Sequence, residues 1–264
     1  MKENDIEMKF LDNLVIDYID PKRFRGENFF KLNQEDTFRI LKKFYKFNSK
    51  EKNFSCPLCR KKKIEYNFLK ISKFYFLHRC LSCSIVFPNI HATKINDYEK
   101  IIYKDYDNRL VAKDVESKKN YRTKKLVNKR YEYCVEKFFK KKKVNVLEIG
   151  FGNGDFLSLL KKKGHKSIGI EYNINLIKKA QTRKLNVQFG ELEKLKNNSF
   201  DLCVMFDVIE HLNAPLKTLK VLKSKLKKNG LLIFYTPNIN SLAFELMGSK
   251  QNLIYPYHHL YLSS

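Results

Sequence analysis

The sequence predicts an α/β fold, with a parallel sheet in its C-terminal half and a small, metal-stapled β module ahead of it. Three observations carry that expectation. From Val144 onward, short apolar runs alternate with amphipathic ones; the first run ends in three closely spaced glycines; and two CxxC pairs stand upstream. Strands that alternate with helices are joined by right-handed crossovers, so the sheet they build is parallel.

Four segments follow in order. Residues 1–50 hold weak signals: Asp20-Pro21 marks a turn, and Phe38, Leu41, Phe44 and Tyr45 recur at helical spacing, so a lead-in helical segment is expected. Residues 51–92 hold the cysteine module, with β-like runs at 75–77 and 85–87. Residues 93–143 read as a helical connector, in which 124–139 place Leu126, Val127, Tyr131, Val135 and Phe138 on one face. Residues 144–264 form the α/β domain, with strands expected at 144–149, 167–170, 186–189, 200–206 and 231–236 and helices at 154–163, 173–183 and 214–228.

The formal charge of +25 invites a phosphate-bearing partner. Of the 53 basic residues, however, 44 are Lys and 9 are Arg, whereas bidentate phosphate and base recognition favours the guanidinium. The lysines are also spread along the whole chain, so nucleic acid is not the favoured partner. There is no secretory h-region and no run long enough for a membrane span, and a cytoplasmic location is expected.

In a reducing compartment, four of six cysteines in CxxC pairs point to metal rather than disulfides. Cys56, Cys59, Cys80 and Cys83 satisfy tetrahedral Zn2+ with no open position, which predicts a structural zinc ribbon. Arg60 and Ser84 stand where such turns often carry glycine. His78, two residues before Cys80, is a weaker candidate for replacing a ligand. Cys134 and Cys203 are expected on a helix face and in a buried strand.

The segment VLEIGFGNGDF, residues 146–156, runs from a buried strand through glycines into a helix. Glycine lets the backbone turn sharply and approach a ligand closely. Dinucleotide loops share this composition, but Gly150, Gly152 and Gly154 form GxGxG, whereas GxGxxG wants a small residue where Asp155 stands. Glu171 ends the next strand about 20 residues later, where an acidic side chain can accept from both ribose hydroxyls. Its alternative role is a surface residue opening the next helix.

Residues 148–155, Glu171, the run FDLCVMFDVIEHL at 200–212 and the run GLLIFYTPN at 230–238 resemble class I S-adenosylmethionine (SAM)-dependent methyltransferases. The likeness is to the small-molecule group with EHL and TPN segments, often preceded by a zinc ribbon. It implies a Rossmann-like sheet with SAM in the crevice at the C-terminal strand ends. On this resemblance Gly150, Gly152 and Gly154 run along the methionine part of SAM and Glu191 and Leu192 border adenine; Glu148, Phe151 and Tyr172 join them and the ribose residue Glu171 in the cofactor-binding set. Asp207 faces the methionine moiety and the acceptor. Tyr257, His258, His259 and Tyr261 resemble a segment lying over the acceptor pocket, an aromatic cluster packed on the sheet edge being the alternative. The family continues past its fifth strand with a helix and an antiparallel pair; this sequence stops short of them, so the expected sheet lacks its last two strands. The fifth strand would then be an exposed edge open to self-association.

Methyl transfer from a sulfonium needs donor and acceptor held in register more than it needs a reactive side chain. For a hydroxyl acceptor a base helps, and His211 and Asp207 are the candidate catalytic residues; a structural cap is the alternative for His211. Asp207, Glu210 and His211, at i, i+3 and i+4, would also converge on a divalent ion if the segment is helical. The expected function is methyl transfer from SAM to a small-molecule acceptor, such as a saccharide or biosynthetic intermediate. The alternatives are an RNA methyltransferase, whose Asn/Asp-Pro-Pro-aromatic motif is missing after the fourth strand, and a non-catalytic SAM- or zinc-binding protein.

Overall fold

The computed structural model describes residues 54–70, 76–89, 116–212, 214–248 and 262–263. The expected lead-in helix, the first part of the connector, and Tyr257, His258, His259 and Tyr261 lie outside the described residues.

The N-terminal module is an antiparallel sheet in the order β1-β2-β3, formed by β1 (Ile64–Lys70), β2 (Phe76–Cys80) and β3 (Val86–Pro88). The β-like runs read at 75–77 and 85–87 start within one residue of β2 and β3, though β2 continues to Cys80. No strand was named at β1, whose alternation is broken by a bulge between Glu65 and Leu69. There Asn67 adopts φ +55, and its freed N–H donates to Nδ1 of buried His78 at 3.0 Å. His78 packs among Phe54, Tyr66 and Phe87, and burial lowers its pKa to about 4, so it is a neutral member of the module's core.

The C-terminal domain is a five-stranded sheet in the order β6-β5-β4-β7-β8, with every pairing parallel. Its strands are β4 (Asn145–Ile149), β5 (Lys166–Glu171), β6 (Val187–Phe189), β7 (Phe200–Phe206) and β8 (Leu226–Tyr235). Helix α1 (Glu116–Tyr131) precedes the sheet; α2 (Asp155–Lys162), α3 (Ile174–Thr182) and α4 (Pro215–Lys225) are the crossovers, and α5 (Leu242–Met247) follows β8. Successive strand residues face opposite sides. Val146, Leu202, Val204 and Phe206 therefore pack under α1, α2 and α3, while Leu147, Ile149, Cys203 and Met205 pack with Leu222 of α4. Of the two cysteines outside the CxxC pairs, Cys203 is buried in β7 as expected, and Cys134, expected on a helix face, is buried as well. Among the described residues β8 borders only β7 and so forms the sheet edge.

Boundaries differ from expectation at the junction of α4 and β8, where the strand starts at Leu226 and not at 231, and at the end of α1. Helix α4 stops at Lys225, not Lys228, because Leu226 turns to extended backbone (ψ 141) and pairs with Phe200, so β8 begins there. Lys225 itself is buried, its ammonium held by Glu193 O at 2.9 Å, Leu195 O at 2.7 Å and Asn197 Oδ1 at 2.8 Å. At the end of α1 a π-helical stretch, Glu132–Glu136, inserts a wider turn before Lys137–Phe139. The extra residue rotates the face: Phe138, expected inward, is 52% exposed, and Phe139 packs against the core instead.

The two modules meet through Leu262 and Ser263. Leu262 exchanges backbone hydrogen bonds with Val86 of β3 at 3.0 and 2.9 Å, and Ser263 O accepts from Ile239 N–H at 2.9 Å. Leu262 is buried with Leu77 and Val86 on the module side and Ile239 and Phe244 on the domain side.

Candidate functional site

Parallel register brings three chain turns to one rim of the sheet. Ile149 of β4 lies beside Ile170 of β5 and Met205 of β7, so residues 150–154, Glu171 and Asp207 all emerge at the C-terminal strand ends. The bend itself depends on glycine. Gly150 sits at φ +68, its N–H donates to Ile170 O at 2.8 Å, and a Cβ there would meet Val208 Cγ2 at 2.4 Å. Gly152, at φ +54, differs: a Cβ there would meet nothing within 4 Å, so the backbone faces open space. Arg183 braces the far side of the bend, donating to Asn153 O, to Asp155 Oδ1 at 3.1 Å and to Ser158 Oγ at 2.6 Å.

Glu171 is buried and its carboxylate turns toward the bend. Oε2 accepts from Gly152 N–H at 3.2 Å; Oε1 accepts from Tyr172 N–H at 2.9 Å and from Asn173 N–H at 3.2 Å. The last two bonds set its rotamer before any ligand arrives. Beyond it, Tyr172 is 53% exposed and meets Phe189 edge-on at 5.6 Å, while Leu192 is buried in the lower core. Phe189 was not singled out in the sequence; an aromatic ending a strand in front of Gly190 was the available signal. Glu191 has φ +55 and pairs with Lys194. Lys225 holds the following segment from beneath, a role that a lysine among lysines does not announce. Phe151 lies side chain inward in the core, so only its backbone borders the bend.

Glu148 is buried on the α1 side of the sheet, and its Oε2 has no hydrogen-bond partner among the described residues. Burial pushes its pKa up to about 8, with Arg130 pulling it down and Glu171 and Asp155 pushing further up. Asp207, at φ +56, accepts from Arg130 at 3.2 Å; burial raises its pKa and Arg130 opposes that rise. Glu210 is fully buried, and burial, with Asp207 adding to it, raises its pKa to about 7; its Oε2 accepts from Thr236 Oγ1 at 3.1 Å. His211 is exposed on the same short turn, Ile209–His211. That turn is a 3-10 helix rather than an α-helix, so Asp207, Glu210 and His211 do not converge as a metal trio.

A second cluster lies in the N-terminal module. The sulfurs of Cys56, Cys59, Cys80 and Cys83 lie within 4.8 Å of one another, with Cys56–Cys83 and Cys59–Cys80 at 3.6 Å. Tetrahedral zinc with bonds of about 2.3 Å spaces its sulfurs by about 3.8 Å, so the quartet fits that ion. Backbone N–H groups of Cys59 and Ser82 point at Cys56 and Cys80 sulfurs at 3.4 Å each. Arg60 and Ser84, where glycine is usual, do adopt φ +64 and +60. Among the described residues this is the group of such ligands that could hold a metal ion.

An open parallel sheet in this order, with a three-glycine bend after its central strand and an acid ending the next, has the architecture of class I SAM-dependent methyltransferases. Residues 119–261, just over half of the chain, match the family model described as a methyltransferase domain, and the chain belongs to that family. An uncharacterised protein of Methanocaldococcus jannaschii is 34% identical over 122 residues, covering 46% of this chain and 52% of that one. The chain thus spans about half the length of the curated relative it matches. Similar solved structures include a SAM-dependent methyltransferase from Archaeoglobus fulgidus, 28% identical with a TM-score of 0.44 over 52% of this chain and 61% of that one. The PH0226 protein of Pyrococcus horikoshii is 26% identical with a TM-score of 0.41, covering 50% of this chain and 65% of that one.

Proposed function

We propose that this chain binds SAM at residues 150–154 and moves its methyl group to a small-molecule acceptor at the C-terminal rim. The observation that carries the reading is the open space over Gly152 with the Glu171 carboxylate hydrogen-bonded to that residue's N–H. Such a cradle accepts a nucleoside: Glu171 takes the ribose hydroxyls, Tyr172, Phe189, Glu191 and Leu192 border the base, and Asp207 faces the amino-acid end. The donor supplies an electrophilic methyl on a sulfonium, and the protein's work is to hold the acceptor in line with it. Asp207 is the partly open carboxyl of the rim and suits a cationic donor, whereas Glu148 and Glu210 lie buried behind it with pKa values raised to about 8 and about 7. His211, exposed beside them, is the base for a hydroxyl acceptor.

In this reading Cys56, Cys59, Cys80 and Cys83 hold zinc with all four positions filled, so the ion is structural. The module reaches the loop after β8 through Leu262 and Ser263 and so walls the acceptor side. Incubation with methyl-labelled SAM and an extract of the producing cell, separated into small molecules and RNA, tests the assignment. Label in the small-molecule fraction is expected; label confined to RNA, or in neither fraction, contradicts it.

A further inference from the structure

Lysines that look scattered along the chain are gathered by the fold at the end of the sheet opposite the glycine bend. Residues 137–143 hold five lysines and residues 161–166 four, with no Asp or Glu in either run. One run leads into β4 and the other into β5, and Asn145 lies beside Lys166 in parallel register, so both runs stand at the strand starts. Lys143 joins them directly: its ammonium donates to Lys163 O at 2.5 Å and lies 3.1 Å from where a Cβ on Gly164 would stand. All nine lysines are exposed. Among the described residues one carboxylate pairs with them, that of Glu136, 4.0 Å from Lys163.

Local chemistry accounts for only part of this. The dipole of α2 favours basic residues in its last turn, where Lys161 and Lys162 stand, but it fades within that turn, and residues 141–143 and Lys166 stand beyond it. Like charges this close repel one another, which costs stability until an anion covers them. Buried His165, between the runs, senses their field: burial lowers its pKa, and Lys143 and Lys163 lower it further. An apolar group stands among the charges. The π-helical stretch turns Phe138 outward, 52% exposed, with the Lys137 ammonium 5.8 Å from its ring centroid.

Neither run contains arginine, so the face offers point charges without the planar fork that grips individual phosphates. Point charges suit a smeared negative potential, such as that of a bilayer containing anionic lipid, which acts on every cation within a Debye length and needs no directed bond. Binding at such a surface grows with buried apolar area as well as with charge, and an exposed phenyl ring supplies that area. We propose that this face docks the protein peripherally on an anionic lipid bilayer, with the lysines over the headgroups and Phe138 entering the boundary between headgroups and acyl chains. The glycine bend, at the other end of β4, then opens away from the bilayer toward solution. Docking of this kind does not depend on what the bend binds.

Sedimentation of the full chain with vesicles, either of phosphatidylcholine alone or of phosphatidylcholine and phosphatidylglycerol in equal parts, tests this. Binding to the mixed vesicles and not to the neutral ones is expected. A lysine near an anionic surface is worth roughly fivefold in partition, so Lys141→Gln, Lys142→Gln, Lys162→Gln and Lys166→Gln together should weaken binding by about 100-fold or more. The same change at Lys178, Lys179, Lys217 and Lys220, exposed on α3 and α4, should cost several-fold at most. The sequence has no tryptophan, so Phe138→Trp places a single reporter on the face. Its emission should shift to the blue on mixed vesicles and be quenched when their acyl chains are brominated. Binding to neither vesicle, equal binding to both, equal losses from the two lysine sets, or emission that bromine leaves unquenched would overturn the proposal. So would poly(U) RNA that binds the wild type more tightly than the mixed vesicles do and loses its affinity with the first lysine set, since the face would then serve nucleic acid.

Discussion

Glu148 shows how a single buried group beside the glycine bend makes stability depend on pH. Its carboxyl keeps its proton to about 8 in the folded chain, against 4.5 for the ordinary group, because burial penalises the charge. The folded state therefore binds a proton that the unfolded chain releases over that interval, and linkage fixes the sign. Its contribution is fully present below about 4.5 and is lost as pH rises toward 8. Glu148→Gln should flatten the fall of the unfolding midpoint between about pH 5 and pH 8, leaving the same-sign slopes of Glu210 and Asp207 and the opposing slope of buried His78 and His165. The lowered pKa values of the two histidines favour the folded state as pH rises. Identical pH profiles for variant and wild type would refute the account of this residue. The glycines, Glu171 and the cysteines were legible in the sequence because each is a residue type with few other uses at that spacing. Arg130 and Lys225 were not, since basic residues are abundant in this chain and only tertiary contact distinguishes them.

At the scale of an element, the connector helix carries the sharpest departure from sequence periodicity. A strict 3.6-residue repeat from Leu126 turns Phe138 inward, and the π-helical stretch breaks that repeat by one residue. Two neighbouring truncations distinguish the arrangements. Phe139→Ala should cost about 1–3 kcal/mol in denaturant unfolding, as loss of a packed aromatic, and Phe138→Ala within about 0.5 kcal/mol of nothing. The reverse order would mean that the helix keeps its regular register. The five parallel strands were readable because buried strands leave continuous apolar runs between glycine and asparagine turns. β1 was not, because its alternation is interrupted at the bulge where Asn67 turns out to meet His78.

For the whole molecule, what matters is that the glycine bend and the cysteine module sit on one frame. Leu262 and Ser263 stitch β3 to the loop after β8, across most of the chain length, and no local pattern announces a pairing between Val86 and Leu262. That juncture fixes the module to the loop after β8, while the glycine bend stands on the other side of β7. A lesion in the bend should therefore abolish donor binding and leave the module untouched. Gly152 offers the cleanest lesion, since a side chain there extends into open space and strains only its own φ. SAM titrated by calorimetry into wild-type and Gly152→Arg protein, with zinc content and unfolding midpoint measured in parallel, is the decisive measurement. The account predicts saturable binding by the wild type and none by Gly152→Arg, with zinc content unchanged and the midpoint near that of the wild type. Undiminished affinity in Gly152→Arg would contradict it.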